Sequence, residues 1–368
     1  MRIASIFKTL LAAAVVMTAV TGCSRDGSDE PASLRETATL KLYIDLTDSR
    51  DRSRAVGDEF EDYKWAANDG EKMHTVRVIV LDAQQRVEHN SLWTLTAADI
   101  RATGREFPVK ANETKTIILI ANEAGKTVTA PDGSRVSAAD LFGSMLASVG
   151  AEVDVDRLRG YTHELEANTD GDDMTAPLLM SAVHSYTIGN EESNSATFTI
   201  HRAAVKYTFR ITAPDDEPHT VNAVHIGRAA SRQYLFPNAD FTADNQMEWS
   251  AYRTPADAGA DVLSFTRTTA IAAGNSEQVE LAPVYLPEGM NLAAGDIYNV
   301  GLTVDGIFTG MKDLNWSIPQ TPDVTTPMTD LPRGTHVIVD ITLNHTDFEI
   351  DYTVCLWTVY NIDIPSFN

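Results

Sequence analysis

The sequence predicts a mainly β protein built as two successive β-sandwiches, with one or two short helices. Three observations carry that expectation. Alternating or continuous runs of β-branched, aliphatic and aromatic residues recur along the chain, separated by Gly, Pro, Asn and Asp. Amphipathic stretches at helical spacing are few. The 368 residues suffice for two ordinary domains, and two cysteines give no disulfide framework if the first is modified, so the core must hold the body together.

The chain opens with an export pattern. Arg2 and Lys8 make a positive start, and residues 10–20 form an uncharged apolar run too short to span a bilayer as a mature helix. The run ends Ala19-Val20-Thr21-Gly22-Cys23, which resembles a bacterial lipobox, where the cysteine is acylated and becomes the new N-terminus. Residues 1–23 are therefore expected to be a lipoprotein signal, with a fatty acyl (palmitate) anchor on Cys23 and the remainder of the chain outside the cytoplasm. Residues 24–33, SRDGSDEPAS, are small, polar and turn-forming, and read as a tether behind the lipid.

Residues 37–47, TATLKLYIDLT, place Ala38, Leu40, Leu42, Ile44 and Leu46 at even positions and polar residues or Tyr43 at odd ones. Strict period two predicts a strand with one buried face. A hydrophilic segment follows, with Arg50, Arg52 and Arg54 recurring before Ala55. Exposed loops of this kind are where proteases cut. Further strands are predicted at 75–81, 115–121, 195–212, 221–226, 278–286, 296–304, 336–343 and 348–364.

Ser137-Ala138-Ala139-Asp140 reads as a helix start, and Leu141, Met145, Leu146 and Val149 then fall on one face, a stripe expected in the core. A boundary is expected near residue 200. The acidic loop 167–173 and the polar stretch 189–195 precede it, and strand patterns resume after it. The resulting organisation is a propeptide at 24–54, holding the tether and a removable first strand, an N-terminal sandwich at 55–200, and a C-terminal sandwich at 201–368. Each sandwich then has about 160 residues. No repeat of fixed period stands out.

Composition and motifs exclude several function classes. The net charge is −23; residues 1–54 carry eight Lys/Arg and seven Asp/Glu, so their removal leaves −24 and the acidity belongs to the body. Such a surface disfavours nucleic acid and anionic lipid headgroups. HExxH, GxSxG, GxxxxGK[ST] and GxGxxG are absent, and the nine histidines are scattered. Cys355 lies in a strand pattern and reads as a structural thiol. Asp170, Asp172 and Asp173 flank Gly171, but the glycine is not placed as a calcium loop of the EF-hand kind needs. No catalytic residue, metal ligand or cofactor is expected, and the chain is not expected to be an enzyme.

The two ends of the body answer one another. Residues 352–364, YTVCLWTVYNIDI, carry Val354, Leu356, Tyr360, Ile362 and Ile364 on one parity, interrupted by Thr358. They offer about the same number of apolar plugs as residues 38–46. Cutting after the arginines would release the first strand and empty a groove that buried Leu40, Leu42, Ile44 and Leu46, each worth about 1.5–3 kcal/mol. A terminal strand from another subunit fills such a groove by β-augmentation. Donor and groove are different surfaces, so the contact does not close and yields a filament. The alternative is that these are two ordinary strands of one stable sandwich.

At this point the residues resemble the FimA-type fimbrillins of the Bacteroidales, major fimbrial subunits made as lipoprotein precursors. The segment Ser53-Arg54-Ala55-Val56-Gly57-Asp58 is similar to the site at which an arginine-specific protease matures such subunits. Other echoes are TVRVIVLD at 75–82, IILIAN at 117–122, HRAAVK at 201–206, VYLPE at 284–288 and RGTHVIVDITL at 333–343. The resemblance implies two transthyretin-like β-sandwich domains, cleavage between Arg54 and Ala55 with Arg50 and Arg52 as nearby alternatives, and loss of the strand at 37–47. It implies a donor strand at 352–364, and partners that are copies of the chain or related fimbrial subunits. It places the protein first at the outer membrane through the lipid on Cys23 and then in an extracellular fimbrium that adheres to a host or bacterial surface receptor. One departure stands out. The tail Ile364-Pro365-Ser366-Phe367-Asn368 contains a proline, which cannot continue a paired central strand. It fits a capped donor strand or an uncleaved outer-membrane lipoprotein that serves as fimbrial anchor or tip, or binds a ligand at the surface.

Overall fold

In a computed structural model of the chain, the described residues are 35–45, 69–99, 101–146, 148–165, 176–237, 240–241, 247–248, 255, 261–289, 296–318, 321–344 and 347–356. They belong to one unit, Arg35–Asn368. The fold is mainly β, in sheets that face one another across apolar cores.

The longer strands are labelled in chain order. In the first part they are β1 (Thr37–Asp45), β2 (Met73–Leu81), β3 (Val87–Asp99), β4 (Arg101–Lys110), β5 (Thr114–Ala121), β6 (Met180–Thr187) and β7 (Ser193–Thr199). β7, β1 and β4 form a three-stranded sheet with β1 in the middle. The facing sheet runs His201–Arg202, β6, β5, β2, β3. Leu40, Leu42 and Ile44 of β1 meet Val76, Val78 and Val80 of β2 and Ile117 and Leu119 of β5 in one core cluster. Ile79, Leu81, Ile118 and Ile120 point the other way, into a second cluster with Phe142, Leu158 and Phe236. Both faces of β2 and β5 are thus covered, which is why their sequences are nearly continuous apolar runs while that of β1 alternates.

The later strands are β8 (Val205–Ala213), β9 (His219–Ala229), β10 (Asp261–Ile271), β11 (Asn275–Glu280), β12 (Asn299–Val304), β13 (Ile307–Asp313), β14 (Thr321–Pro327), β15 (Thr335–Asn344) and β16 (Asp347–Leu356). One sheet has the order β11-β8-β15-β16, with Val284–Leu286 also paired to β8; the other has the order β10-β9-β12-β13. Tyr207, Phe209, Val224, Phe265, Val300 and Val339 pack between them. β14 pairs with Asn315–Ile318. A topological likeness links the two parts. β1 lies between a parallel neighbour, β7, and an antiparallel one, β4. β8 likewise lies between parallel β15 and antiparallel β11.

Buried polar side chains join the two parts. Glu71, in the turn before β2, accepts from Lys206 Nζ at 2.8 Å and Tyr285 Oη at 2.5 Å. Arg333 forks onto Glu288, with Nε donating to Oε2 at 2.8 Å, and also donates to Ser181 Oγ and Leu235 O at 3.2 Å each. Both members of the Arg333–Glu288 pair are fully buried. The cost of burying such charges is offset by this complete set of partners.

The helix expectation is corrected in part. Ser137 does cap the start, its hydroxyl accepting from the Asp140 amide at 3.4 Å, but only Ala138–Asp140 is α-helical and Leu141–Met145 widens into a π-helix. The wider turn shifts side chains off the spacing of 3.6. Leu141, Phe142 and Leu146 are buried, whereas Met145 is 60% and Val149 77% exposed. A second short helix, Val155–Arg159, is capped by Asp154, whose Oδ1 accepts from the Arg157 amide at 2.9 Å. The run predicted at 195–212 is divided into β7, His201–Arg202 and β8, and the run at 278–286 into β11 and Val284–Leu286.

Candidate functional site, the seat of the first strand

The alternation read in residues 37–47 becomes a buried row on β1. Ala38, Leu40, Leu42 and Ile44 are 6, 0, 0 and 2% exposed, facing β2 and β5, and Thr39, Lys41 and Tyr43 lie on the outer face. β1 pairs along both edges, from Thr39↔Ser193 to Asp45↔Thr199 on β7 and from Thr37↔Lys110 to Asp45↔Arg101 on β4. At its entry, the Arg35 amide donates to Asn190 Oδ1 at 2.7 Å, Asn112 Nδ2 donates to Arg35 O at 3.0 Å, and the Ala111 amide donates to Glu36 O at 3.1 Å. Removing β1 would leave two rows of backbone donors and acceptors unpaired beside an apolar trough.

The walls of that trough are anchored independently of β1. On β4, Phe107 stacks on Trp93 of β3 with ring centres 5.8 Å apart and lies 5.3 Å from His89. Lys110, at the end of β4, reaches Asp82 at 3.4 Å. Burial alone would raise the Asp82 carboxyl, but hydrogen bonds from Arg86, Gln84 and Lys110 hold it below the usual range. On β7, Phe198 packs edge-on to Tyr186 of β6 at 5.7 Å and beside His184 at 5.2 Å. His184 Nε2 donates to Thr199 O at 2.6 Å, and burial holds its imidazole neutral with a pKa of about 4. Phe107, Val109 and Phe198 are therefore wall residues of the trough that the sequence reading did not single out. Phe198 falls within the run predicted at 195–212, but β4 carries Gly104 and Pro108, and only the position of Phe107 and Val109 on one parity hinted at that strand.

The structure places the other predicted residues as follows. Val354 and Leu356 lie on β16, opposite Val337 and Thr335 of β15, and β16 is the terminal strand of its sheet among the described residues. They are not in the sheet that holds β1. β16 pairs with β15 continuously from Asn344↔Asp347 to Thr335↔Leu356. Cys355 falls opposite His336, a neighbour that sequence spacing did not reveal; His336 Nε2 lies 2.9 Å from Thr208 Oγ1, and burial keeps the imidazole neutral. Cys23, Leu46, Arg50, Arg52, Arg54, Ala55, Tyr360, Ile362, Ile364 and the acidic residues Asp170, Asp172 and Asp173 lie outside the described residues. Among the described residues, no three His, Cys, Asp or Glu side chains are grouped so as to hold a metal ion. No helix among them is long and apolar enough to cross a membrane.

No protein-family model matches the chain, and no curated protein sequence matches it. Solved structures do resemble it in fold. A candidate cell adhesion protein of Parabacteroides distasonis superposes with a TM-score of 0.55 at 14% identity, covering 88% of this chain and 98% of that one. The tip fimbrial protein Mfa3 of Porphyromonas gingivalis, truncated at its C-terminus, gives 0.54 at 14% identity over 87% of this chain and all of that one. A candidate cell adhesion protein of Bacteroides eggerthii gives 0.50 at 13% identity, over 89% and 98% of the two chains. At these identities the likeness is one of fold.

Proposed function

We propose that the chain is the precursor of a surface fimbrial subunit of the FimA type, a structural and adhesive protein without catalytic activity. In this reading Cys23 is acylated, the precursor reaches the outer membrane by that anchor, and an arginine-specific protease cuts between Arg54 and Ala55. β1 then leaves, and the terminal strand of another subunit, carrying Val354, Leu356, Tyr360, Ile362 and Ile364, takes its place. Residues 55–200 and 201–368 are the two domains of the mature subunit. The observation that carries the reading is the seat of β1. Its middle position and buried aliphatic row make the groove demand a strand, while Phe107 and Phe198 hold the walls in place without it. The fold likeness to adhesion and tip fimbrial proteins supports the same class.

Treatment of the purified full chain with an arginine-specific protease tests the reading. The expected outcome is a new N-terminus at Ala55, release of a fragment containing residues 37–47, and SDS-resistant ladders. Cleavage that leaves only stable monomers would contradict it. That result would favour the second reading, an uncut outer-membrane lipoprotein acting as anchor, tip or ligand-binding protein. The continuous pairing of β16 with β15 speaks for this reading, since it keeps the candidate donor in its own sheet.

A further inference from the structure

The aliphatic row of the groove does not by itself fix the register of an incoming strand. Leu40, Leu42 and Ile44 are so alike that a strand displaced by two residues would fill the same pockets with similar side chains. The outer face holds what the row lacks. Pairing between β1 and β4 runs evenly to Leu42↔Arg105 and resumes one residue out of step at Ile44↔Ala102, so Tyr43 opposes both Thr103 and Gly104 in a bulge. A Cβ on Gly104 would lie 2.4 Å from Tyr43 Cε1 and 2.8 Å from Cζ, well inside van der Waals contact with the ring. Gly104 is not in the left-handed region, so its backbone does not call for glycine. The missing side chain makes room for the ring, which covers the glycine as aromatic residues do in strands. Pairing with β7 stays in step through Tyr43↔Thr197, so this is the one irregular position that β1 meets among its described residues.

We infer that Gly104 and its bulge form a ring-accepting notch that sets the register of the strand occupying the groove, and that the occupant from a second copy seats Trp357 there. This rests on the strand-exchange reading above. In residues 352–364, Trp357 is the aromatic residue on the parity between the apolar plugs. With Trp357 in the place of Tyr43, Val354 and Leu356 fall in the places of Leu40 and Leu42, and Thr358, the break in the apolar row, falls in the place of Ile44. A slip of two residues toward either end would put Cys355 or Val359 over Gly104 and leave the notch unfilled.

The test uses the full chain, nicked by an arginine-specific protease with β1 still seated, then challenged with an excess of synthetic peptides. Peptide 37–47 competes against its Tyr43→Ala form, and peptide 352–364 against its Trp357→Ala form; the peptide retained is weighed by mass spectrometry. The ring-bearing peptide of each pair should be retained about two- to fivefold over its alanine form, the size expected of one cross-strand pair. That preference should vanish in a chain carrying Gly104→Ala, made together with Tyr43→Ala so that the precursor folds. Equal retention within each pair in both chains overturns the notch and leaves strand exchange standing. Retention of no peptide at all overturns both.

Discussion

At the residue scale, the wall residues and the buried histidines carry consequences that can be measured. Truncating Phe107 or Phe198 to Ala removes a ring that ties a groove wall to the sheet beneath, and each change should destabilise the precursor by about 3–5 kcal/mol in urea unfolding. Burial holds His163 and His184 near pKa 4 and His336 well below its ordinary value, with Lys206 and Arg210 adding to the effect at His336. The unfolded chain takes up protons near pH 6.5 that these folded imidazoles refuse, so stability is present above pH 6.5 and is lost as pH falls toward 4. His219 works with the opposite sign. Burial would lower its pKa, but hydrogen bonds and charge from Asp215 and Asp305 raise it. Its contribution is full below pH 6.5 and fades as pH rises through the folded value. The stability gap between wild type and His219→Gln should therefore narrow as pH rises above 6.5, whereas His184→Gln should flatten the loss on acidification. Little of this was legible in the sequence. Of the partners of His219, Asp215 is four residues away, but Asp305 comes from the turn between β12 and β13 and no local pattern reveals it. Met145 and Val149 were misread because spacing alone does not reveal a π-helix.

At the scale of elements, legibility followed burial where the buried residues were apolar. β1, with one face covered, alternates; β2, β5 and β15, with long buried runs, read as continuous apolar strands. β3, β4, β6, β10, β13 and β14 were not predicted; β6 is largely buried, but Ser181, His184 and Ser185 break its apolar run. β3 and β13 lie at sheet edges, β10 carries many exposed polar residues, and β4 holds Gly104 and Pro108. Those residues demote a strand pattern, yet here they shape a groove wall. The parallel pairing of β1 with β7 joins residues about 150 apart and had no local signal. A prediction belongs to this scale. Leu42→Ala should destabilise the precursor by about 2–5 kcal/mol, because a fully buried side chain is lost. In the proposed filament, which would lack β1, the same change should leave stability unaffected; thermal unfolding of both forms checks this, and an equal loss in both would argue that β1 is retained.

At the scale of the whole molecule, the mainly β fold was legible from strand and turn patterns, but the likeness between the seats of β1 and β8 was not. The two strands share a place in their sheets and little sequence, which is why no repeat appears along the chain. The joint between the parts was equally hidden, because Arg333, Glu288, Glu71 and Lys206 are spread across the chain and look like surface charges until the fold buries them. Arg333→Ala leaves Glu288 buried without its partner and should destabilise the protein by about 3–5 kcal/mol in calorimetry. Whether the groove is emptied in the working protein is tested most directly by the N-terminal sequence and intact mass of the protein recovered from the cell surface. The expected result is a chain starting at Ala55, without β1 and without lipid. A full chain still carrying a lipid-modified Cys23, with β1 attached, would contradict it.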